Sequence, residues 1–437
     1  LDKLLRDTAF ADQHIRAFKL LKQEPMYSNV AEWTERGEYG GPYGAVAGAG
    51  DNPPANTAEL ARRVGYAKYY RTLRGVDHPT SIIRSIVPAI AEEEQAGTRF
   101  LLGNIERDIF FGDSDIVPEQ FDGILPIVLA NGDSNCVIDM QGGAFESVDQ
   151  VLDAAAVVGS NGGTPTHMFI DTFSIGDIQK ALATSLRFTN AGPAGTALVN
   201  AGVVPKTIST AFGDMAFEPS IFLNAERGYI TRKVDPVYKA PSLTRGGDSI
   251  NTPPATPTLD SATPGGTGGT IPAGGYYYKV AAINKNGESA ATAGTAVTVA
   301  AGEKVTLTIT HTDATTQGFR IYRSAKDAAD AADCRFLYHV AASAGGTTTF
   351  VDDGSWVPGT TCAFIIDANP FDPALDWQQL LPMMKLEFGI RRPRYEWLQM
   401  IYGFLRVTRV WRLVVIKNIL STQVRRTWNP LGTTFSE

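Results

Sequence analysis

Residues 79–112 read PTSIIRSIVPAIAEEEQAGTRFLLGNIERDIFFG, the longest stretch of the chain with a helical period. Apolar side chains recur every four residues in two series, Ile82–Ile86–Ile90 and Leu101–Ile105–Ile109. Between them lies the acidic run Glu92, Glu93 and Glu94, which the core of a single domain would not accommodate. A helix of roughly 30 residues would be about 45 Å long. The stretch therefore predicts a helix that spans more than one packing environment, with Pro88 and Gly97 as its weak points.

The composition of the chain sets limits on its class. Its 437 residues suffice for two or three domains with sizeable cores. Only 19% of the residues are charged and 43 are Gly, which indicates long loops or surface buried against other chains. The net charge of −7, without a basic tail, argues against tight binding to duplex DNA. No apolar run reaches the roughly 18 residues that a membrane span needs.

Two further features concern processing and redox state. Cys136, Cys334 and Cys362 are odd in number and far apart, which fits a reducing compartment or a structure indifferent to disulfides. The chain begins at Leu1 rather than Met, which fits proteolytic trimming or a shortened sequence.

The segment before the helix has two parts. Residues 1–22 carry an apolar stripe that predicts an amphipathic helix ending before Pro25. From residue 27 to 77 the pattern gives way to Gly, Pro, Ala and Asn, and then to the strand-like return ARRVGYAKYYRTLRG. A structureless loop of this length is uncommon in a compact domain. We therefore expect a long two-stranded excursion that lies on another chain.

After a turn-rich passage at residues 112–132, helical and strand-like segments alternate without a strict repeat, which favours an α+β fold. The pattern predicts a helix at 145–158, a buried strand at 167–174 and a helix at 175–186. Near the end, residues 373–390 predict a helix or strand, followed by an apolar hairpin at 395–419.

An all-β segment interrupts this pattern. At about Asn251 the composition becomes rich in Pro, Gly and Thr, and alternating strands follow. Their sequences are YYYKVAAIN, AVTVA, KVTLTIT, GFRIYRS, FLYHVAA and TTTFVDD. This spacing predicts a β-sandwich inserted into the α+β domain rather than appended to it.

The sequence predicts no catalytic, cofactor-binding or metal-binding residues. The Gly-rich run at 40–50 lacks the GK[ST] of a phosphate-binding loop. The five histidines show no zinc spacing, and no Ser/His/Asp set can be nominated. Asp113, Asp115 and Asp122 fit a helix-ending turn better than a calcium loop. Consecutive carboxylates at 92–94 point about 100° apart on a helix, so they do not form a glycosidase pair.

Arginines mark the excursion and the C-terminal region. They are Arg62, Arg63, Arg71 and Arg74, and then Arg391, Arg392 and Arg394. Two interpretations stay open: they solubilise exposed arms, or they form ion pairs with acidic patches of a neighbouring chain. The second makes Arg62, Arg63, Arg71, Arg74, Glu92, Glu93 and Glu94 candidate intersubunit contacts.

The order of an N-terminal arm, a two-stranded loop, a spine-like helix and an α+β core resembles the major capsid (head) proteins of tailed bacteriophages with the Hong Kong 97-type fold. The closest textual similarity is GNIERDIFFGDSDIVPEQFDGI at 103–124. The resemblance implies the following division: an N-arm at 1–38, an extended loop at 39–78, a capsid core of peripheral and axial domains at 79–251, an inserted β-sandwich at 252–361 and a return to the core at 362–437.

The resemblance also implies a function. The chain would be a non-enzymatic coat subunit that forms hexamers and pentamers of an icosahedral head, made in the host bacterial cytoplasm, with portal and cement proteins as further partners. It would enclose double-stranded DNA without sequence-specific binding and without a membrane. Some members crosslink a loop lysine, for which Lys68 lies on the right arm, although no motif identifies its partner.

The inserted segment resembles fibronectin type III or related immunoglobulin-like domains, on YYYKVAAINKNGES and GFRIYRS, although the tryptophan usual in an early strand is missing. Two alternative functions remain: a carbohydrate-binding or adhesive surface protein that acts through this sandwich, and an enzyme with an accessory module.

Overall fold

The computed structural model of the chain describes residues 12–38, 49–50, 58–78, 89–186, 207–223, 253–388, 393–426 and 428–431. Its helices are α1 Ala17–Leu20, α2 Ala89–Phe111, α3 Ile124–Asn131, α4 Asp149–Ser160, α5 Thr172–Leu186 and α6 Thr422–Arg425. Residues 258–352 contain the strands β9–β16, and we call the rest of the described chain the body. The first strands of the body are β1 Gln23–Pro25, β2 Val30–Glu38, β3 Glu59–Tyr66, β4 Lys68–Asp77, β5 Val137–Asp139, β6 His167–Ile170, β7 Thr207–Thr210 and β8 Gly213–Pro219. Its last strands are β17 Thr361–Ile366, β18 Leu375–Glu387, β19 Arg394–Val407 and β20 Val414–Ile419. Helices and sheets are mixed along the chain, so the predicted α+β class is confirmed.

Residues 258–352 form two antiparallel sheets of their own. Their strands are β9 Thr258–Gly265, β10 Gly274–Asn284, β11 Gly287–Glu288, β12 Thr295–Val299, β13 Lys304–Thr310, β14 Gly318–Arg323, β15 Arg335–Ala341 and β16 Thr347–Asp352. One sheet has the order β11-β10-β14-β15 with β12 also on β10, and the other has the order β16-β13-β9. All six strands expected here are present, and we call this unit the sandwich.

The central sheet of the body has the order β5-β20-β17-β6-β8-β7. Alternate residues of its strands face opposite sides, and both sides are covered. On one side Phe110 of α2 packs against Phe169 and Phe364, with ring centroids 5.3 and 5.1 Å away. On the other side α4 packs its buried stripe, which includes Val151 and Val158. This double cover explains why β17 is buried along its whole length.

A second sheet, the peripheral sheet, has the order β1-β18-β19-β4. The long helix α2 lies across one face of it. Tyr70 donates a hydrogen bond of 2.7 Å to Asp108, and Gln399 donates one of 2.9 Å to the carbonyl of Glu94. Gly97 lies over Gln399 so closely that a Cβ would come within 1.8 Å of its side-chain oxygen. The glycine that weakens the helix in isolation therefore allows its contact with the sheet.

Strands β2 and β3 pair only with each other in the described part of the chain, and we call them the extended hairpin. The hairpin begins at Val30, within the segment that the sequence assigned to the N-arm. Strand β4 lies within the predicted loop but belongs to the peripheral sheet. Both strands of the hairpin therefore lie within the excursion predicted at 27–77, and the first of them, with the alternation V-A-E-W-T-E, falls in the segment assigned to the N-arm.

Several predicted elements differ from the structure. The helix predicted at 1–22 is a short turn and the four-residue α1 in its described part, because Glu106 fixes the chain there, as shown below. Residues 79–88 lie outside the described residues, so the predicted helix is described from Ala89 onward. Residues 124–131 form α3 instead of a turn-rich passage.

The predicted C-terminal hairpin is wrong: β19 joins the peripheral sheet and β20 the central sheet, because a 3-10 turn at 410–412 separates them. Among the described residues, no helix has the length and apolarity required to cross a membrane.

Candidate functional site

The outer face of the peripheral sheet, opposite α2, carries mostly apolar side chains, several of which are exposed. Cross-strand partners share a face, so three rows of side chains lie side by side. The rows are Leu73–Leu398–Leu386, Arg71–Met400–Met384 and Tyr69–Tyr402–Leu381. Leu73 is 61% exposed and Leu386 is 47% exposed. We call these nine residues the outer face.

The extended hairpin has an apolar exposed side of its own. Leu60, Val64 and Tyr66 alternate along β3 and therefore point the same way. Leu60 is 59% exposed and Tyr66 is 63% exposed. Monomeric proteins rarely leave such side chains adjacent in ordered strands, so this side is a second candidate assembly surface.

The opposite side of the hairpin shows how a strand can cover the outer face. At its base, Gly65 lies against the ring of Phe404, where a Cβ would come within 2.3 Å of the ring. Trp33 lies 6.4 Å from the same ring, and Arg406 lies 5.9 Å from the ring of Trp33. Phe404 has the same orientation along β19 as Tyr402 and Met400. The hairpin of this chain therefore covers one end of the peripheral sheet and leaves the outer face open.

The seven predicted contact residues lie in three places. Arg62 and Arg63 are on the hairpin, where Arg62 pairs with Glu32 and Arg63 lies 3.1 Å from Glu35. All four side chains are at the surface, so each pair stabilises by only about 0–1 kcal/mol.

The structure brings the next group together within one chain. Arg74 of β4 forms an ion pair of 2.9 Å with Glu93 in the first part of α2, and Lys385 forms one of 3.3 Å with Glu94. These half-buried pairs fix α2 to the peripheral sheet. Glu92 and Arg71 form no ion pair with any other described residue, and Arg71 lies in the middle row of the outer face, on the edge strand β4.

The other sequence candidates have structural surroundings. Arg391 and Arg392 lie outside the described residues, whereas Arg394 lies 3.7 Å from both Asp77 and Glu396. Lys68 donates a hydrogen bond of 2.6 Å to the carbonyl of Pro118. The aspartates after α2 form a turn, in which Asp113 accepts from the amide of Asp115 at 3.0 Å. In the ranges that the structure describes, no group of His, Cys, Asp and Glu could hold a metal ion.

Sequence reasoning missed Glu106, which fixes the N-terminal segment. This glutamate of α2 is fully buried and accepts hydrogen bonds from the amides of Arg16, Ala17 and Phe18 at 2.9, 2.7 and 2.8 Å. Burial raises its pKa, and the three amides oppose that rise. The signal was the E-R-D sequence within the apolar stripe, which placed two carboxylates on the buried side. The outer face was missed because residues 381–388 could not be assigned to a helix or a strand from the sequence.

The sandwich is joined to the body at three places, which we call the junction. Ile116 and Val117 of the turn after α2 pack against Ile283. Glu119 forms an ion pair of 3.2 Å with Lys285. The buried Asn418, with φ +59°, donates to the carbonyl of Ser355 at 2.9 Å and accepts from the amide of Val357 at 3.0 Å. Trp428 lies against Gly359 and donates to the carbonyl of Asp333 at 3.2 Å. Buried apolar side chains of the sandwich and the body form one contiguous cluster.

Comparison with known proteins gives structural likeness only. No protein-family model and no curated protein sequence matches the chain. The structure is similar to a chain from Microbacterium phage Oxtober96, at 8% identity over 95% of this chain and 94% of that chain, with a TM-score of 0.46. It is also similar to the holo-SrpI encapsulin complex from Synechococcus elongatus, at 10% identity over 99% and 96%, with a TM-score of 0.40. A virus-like particle from Pyrococcus furiosus is similar at 5% identity over 93% of each chain, with a TM-score of 0.39.

Proposed function

We propose that the chain is a capsid subunit of the Hong Kong 97 type, a major head protein that assembles with copies of itself into the hexamers and pentamers of an icosahedral shell. The observation that carries the proposal is the pair of uncovered apolar surfaces, one on the extended hairpin and one on the peripheral sheet. Its work is mechanical: the chain supplies surfaces, not a catalytic centre.

Energetics favour coverage of both surfaces. A two-stranded hairpin is marginally stable in water, and its open edges invite pairing with another chain. Full burial of a Leu, Phe or Met side chain is worth about 1.5–3 kcal/mol relative to exposure. Covering Leu73, Leu386 and Leu60 on a neighbouring copy would therefore contribute several kcal/mol per contact before the cost of association.

The hairpin of one copy is the proposed cover for the outer face of the next. Its contact with Phe404 shows that the peripheral sheet accepts a crossing strand on this side. Arg71 lies on this face and lacks an ion pair within the described chain, so it is then the foremost intersubunit contact for this hairpin, whereas Glu92, on the α2 side of the sheet, would contact a different surface of a neighbouring copy. The other five candidates already form ion pairs within the chain, so they must exchange or share those partners to contact a neighbouring copy. They are Arg62, Arg63, Arg74, Glu93 and Glu94.

Further partners follow from the same proposal. The head would enclose double-stranded DNA, and a net charge of −7 suits a shell that does not grip its contents. Portal and cement proteins would contact it, its place would be the virion, and assembly would occur in the bacterial cytoplasm. Residues 252–361 would be an inserted sandwich related to fibronectin type III or immunoglobulin-like domains. The two antiparallel sheets of residues 258–352 support this assignment.

The outer face provides the test. The variant Leu73→Glu/Leu386→Glu places two carboxylates on the proposed interface, on the two strands that flank β19. The variant Ser261→Glu/Thr349→Glu places two on the sandwich, on the two strands that flank β13. We expect the first variant to lose particle formation by at least about tenfold, since burying unpaired charge costs several kcal/mol, with an unchanged circular-dichroism melt. The second should assemble. Normal particles from the first variant would refute the proposed interface.

A further inference from the structure

The extended hairpin leaves the body through two short connections. Residues 26–29 join β1 to β2, and Ala67 alone separates β3 from β4. The amide of Ala67 donates a hydrogen bond of 2.9 Å to the carbonyl of Asn29, and the amide of Met26 donates one of 2.9 Å to the carbonyl of Gln379. Connections of this length act as hinges, because a few φ and ψ angles change the direction of everything beyond them. The direction of the hairpin therefore depends on side-chain contacts beyond these connections.

Trp33 of β2 provides the first of these contacts. Its ring centroid lies 6.4 Å from that of Phe404, and the guanidinium carbon of Arg406 lies 5.9 Å from the centroid of the indole. Phe404 and Arg406 are two residues apart on β19, so their side chains leave the same face of the peripheral sheet. The indole Nε1 donates a hydrogen bond of 2.9 Å to Glu35, which fixes the orientation of the ring within the hairpin.

The body holds Arg406 in one orientation. Its Nε donates to both carboxylate oxygens of Asp376, at 3.0 and 3.2 Å, and a terminal nitrogen donates to Asp376 and, at 2.8 Å, to Glu24 of β1. Asp376 is the cross-strand partner of Arg406 and is only 3% exposed. A carboxylate that binds two nitrogens of a guanidinium fixes its plane, which the compact ammonium group of a lysine does not have. Arg406 therefore presents a flat, fixed surface to Trp33.

Gly65 of β3 shows how closely the hairpin lies against β19. A Cβ at Gly65 would come within 2.3 Å of the Phe404 ring and within 3.2 Å of Trp33. A residue without a side chain is therefore needed for the strand to pack at this distance. These contacts involve few side chains, so they can fix the direction of the hairpin while contributing little to the stability of the whole chain.

We propose that Trp33 and Arg406 are positioning residues that hold the hairpin in one direction before another copy binds. We call Trp33, Gly65, Phe404 and Arg406 the hairpin lock. A hairpin that is already held loses less conformational freedom when it docks on another copy, so the lock raises the yield of assembly. This consequence rests on the proposed function, whereas the direction of the hairpin in the unassembled chain does not.

Distances between two spin labels on the unassembled chain test the lock. The labels are placed at Ala61→Cys on the hairpin and Asp153→Cys on α4, both at exposed positions. Cys334→Ser removes the partly exposed native thiol, and the other two, Cys136 and Cys362, are buried. Double electron–electron resonance should give one narrow distance distribution for this labelled chain. A broad distribution would overturn the proposal.

Matched variants then identify the residues that hold the hairpin. Trp33→Thr keeps a strand-forming residue without a ring and should widen the distribution at least about twofold, whereas Trp33→Phe should restore most of the narrow width. The control Thr34→Ala changes a side chain that points to the other side of the hairpin, and it should leave the width unchanged. Equal widths for Trp33→Thr and Thr34→Ala would overturn the proposal. Arg406→Lys keeps the charge without the planar group and should widen the distribution as well. If it does not fold, Trp33→Thr decides, since it leaves the ion pairs of Arg406 in place.

Particle yield tests the consequence for assembly. We expect Trp33→Thr to lower the yield of particles at least about fivefold and Trp33→Phe to restore it, with thermal melts equal to that of Thr34→Ala. A widened distribution with a normal yield would overturn the role of the lock in assembly. If the unsubstituted chain forms no particles, the proposed function fails, while the label distances still decide whether the lock exists.

Discussion

The extended hairpin and the sandwich both project from the α+β body, but they differ in how far their apolar side chains are covered within the chain. In its described residues, the hairpin packs against the body near its base, at Phe404, and leaves Leu60, Val64 and Tyr66 exposed. The sandwich buries its own core and continues it into that of the body. Projection from a fold does not by itself identify an assembly surface. Unsatisfied apolar area in ordered strands is the better criterion.

A single substitution in the junction should lower the free energy of unfolding more than one in the hairpin. Asn418→Ala removes the hydrogen bonds to Ser355, Val357 and Asp139 and leaves buried partners unpaired. We expect the free energy of unfolding to fall by about 3 kcal/mol, measured by urea denaturation of unassembled protein. Glu32→Ala on the hairpin is the control and should change it by less than about 0.5 kcal/mol. A loss at Asn418 no larger than that of the control would mean that the sandwich is not joined in this way.

The acidic start of α2 separates stability from assembly. Glu93→Arg breaks the pair with Arg74 and places like charges together, so we expect a loss of about 1–2 kcal/mol in stability as well as impaired assembly. Glu92→Arg breaks no ion pair among the described residues and should impair assembly alone. Thermal melts and particle yields of the two variants are the measurements. An equal loss of stability in both variants would mean that Glu92, like Glu93, stabilises the single chain and is not specific to assembly.

Acid should weaken the contact between the turn after α2 and the sandwich, where Asp113 lies 3.6 Å from His339 of β15. Burial raises the pKa of this carboxyl, but the hydrogen bond and charge of His339 outweigh it, so its pKa lies below the ordinary value. A depressed pKa gives stability that is present above the unfolded value of about 3.8 and is lost as the pH falls through the folded pKa. We expect this loss to begin as the pH falls below about 4, at roughly 1.4 kcal/mol for each unit of difference between the unfolded and folded pKa.

The variant Asp113→Asn should remove this pH dependence. Urea titrations at a series of pH values, with Asp115→Asn as the control in the same turn, make the comparison. If the free energy of unfolding of Asp113→Asn falls with acid as steeply as that of the unsubstituted chain, the loss comes from other carboxyls.

The surface pairs of the hairpin should matter least. Arg62→Ala and Arg63→Ala remove exposed ion pairs with Glu32 and Glu35, so each should change the free energy of unfolding by less than about 0.5 kcal/mol. Raising the salt concentration should reduce even this difference. A loss above about 1 kcal/mol would show that the hairpin is more firmly held by its own chain than its contacts indicate.

Local patterns predicted the long helix and the sandwich strands because their periods are strong within short windows. Tyr276, Tyr278 and Leu307, for example, alternate with half-buried neighbours. The pattern could not separate β19 from β20, since both are apolar and only sheet partners distant in sequence distinguish them. It also could not show the outer face, because Leu73 and Leu386 look like core residues until the strand register places them at the surface. The arginine and glutamate runs identified charged surfaces, but their partners depend on three-dimensional proximity.

Analytical ultracentrifugation of the purified chain, combined with electron microscopy, shows whether copies of the chain assemble into shells. The proposal predicts closed particles with icosahedral symmetry, in which the outer face of each copy is covered by the hairpin of another. Monomers or dimers alone, under ionic conditions like those of a virion, would contradict it.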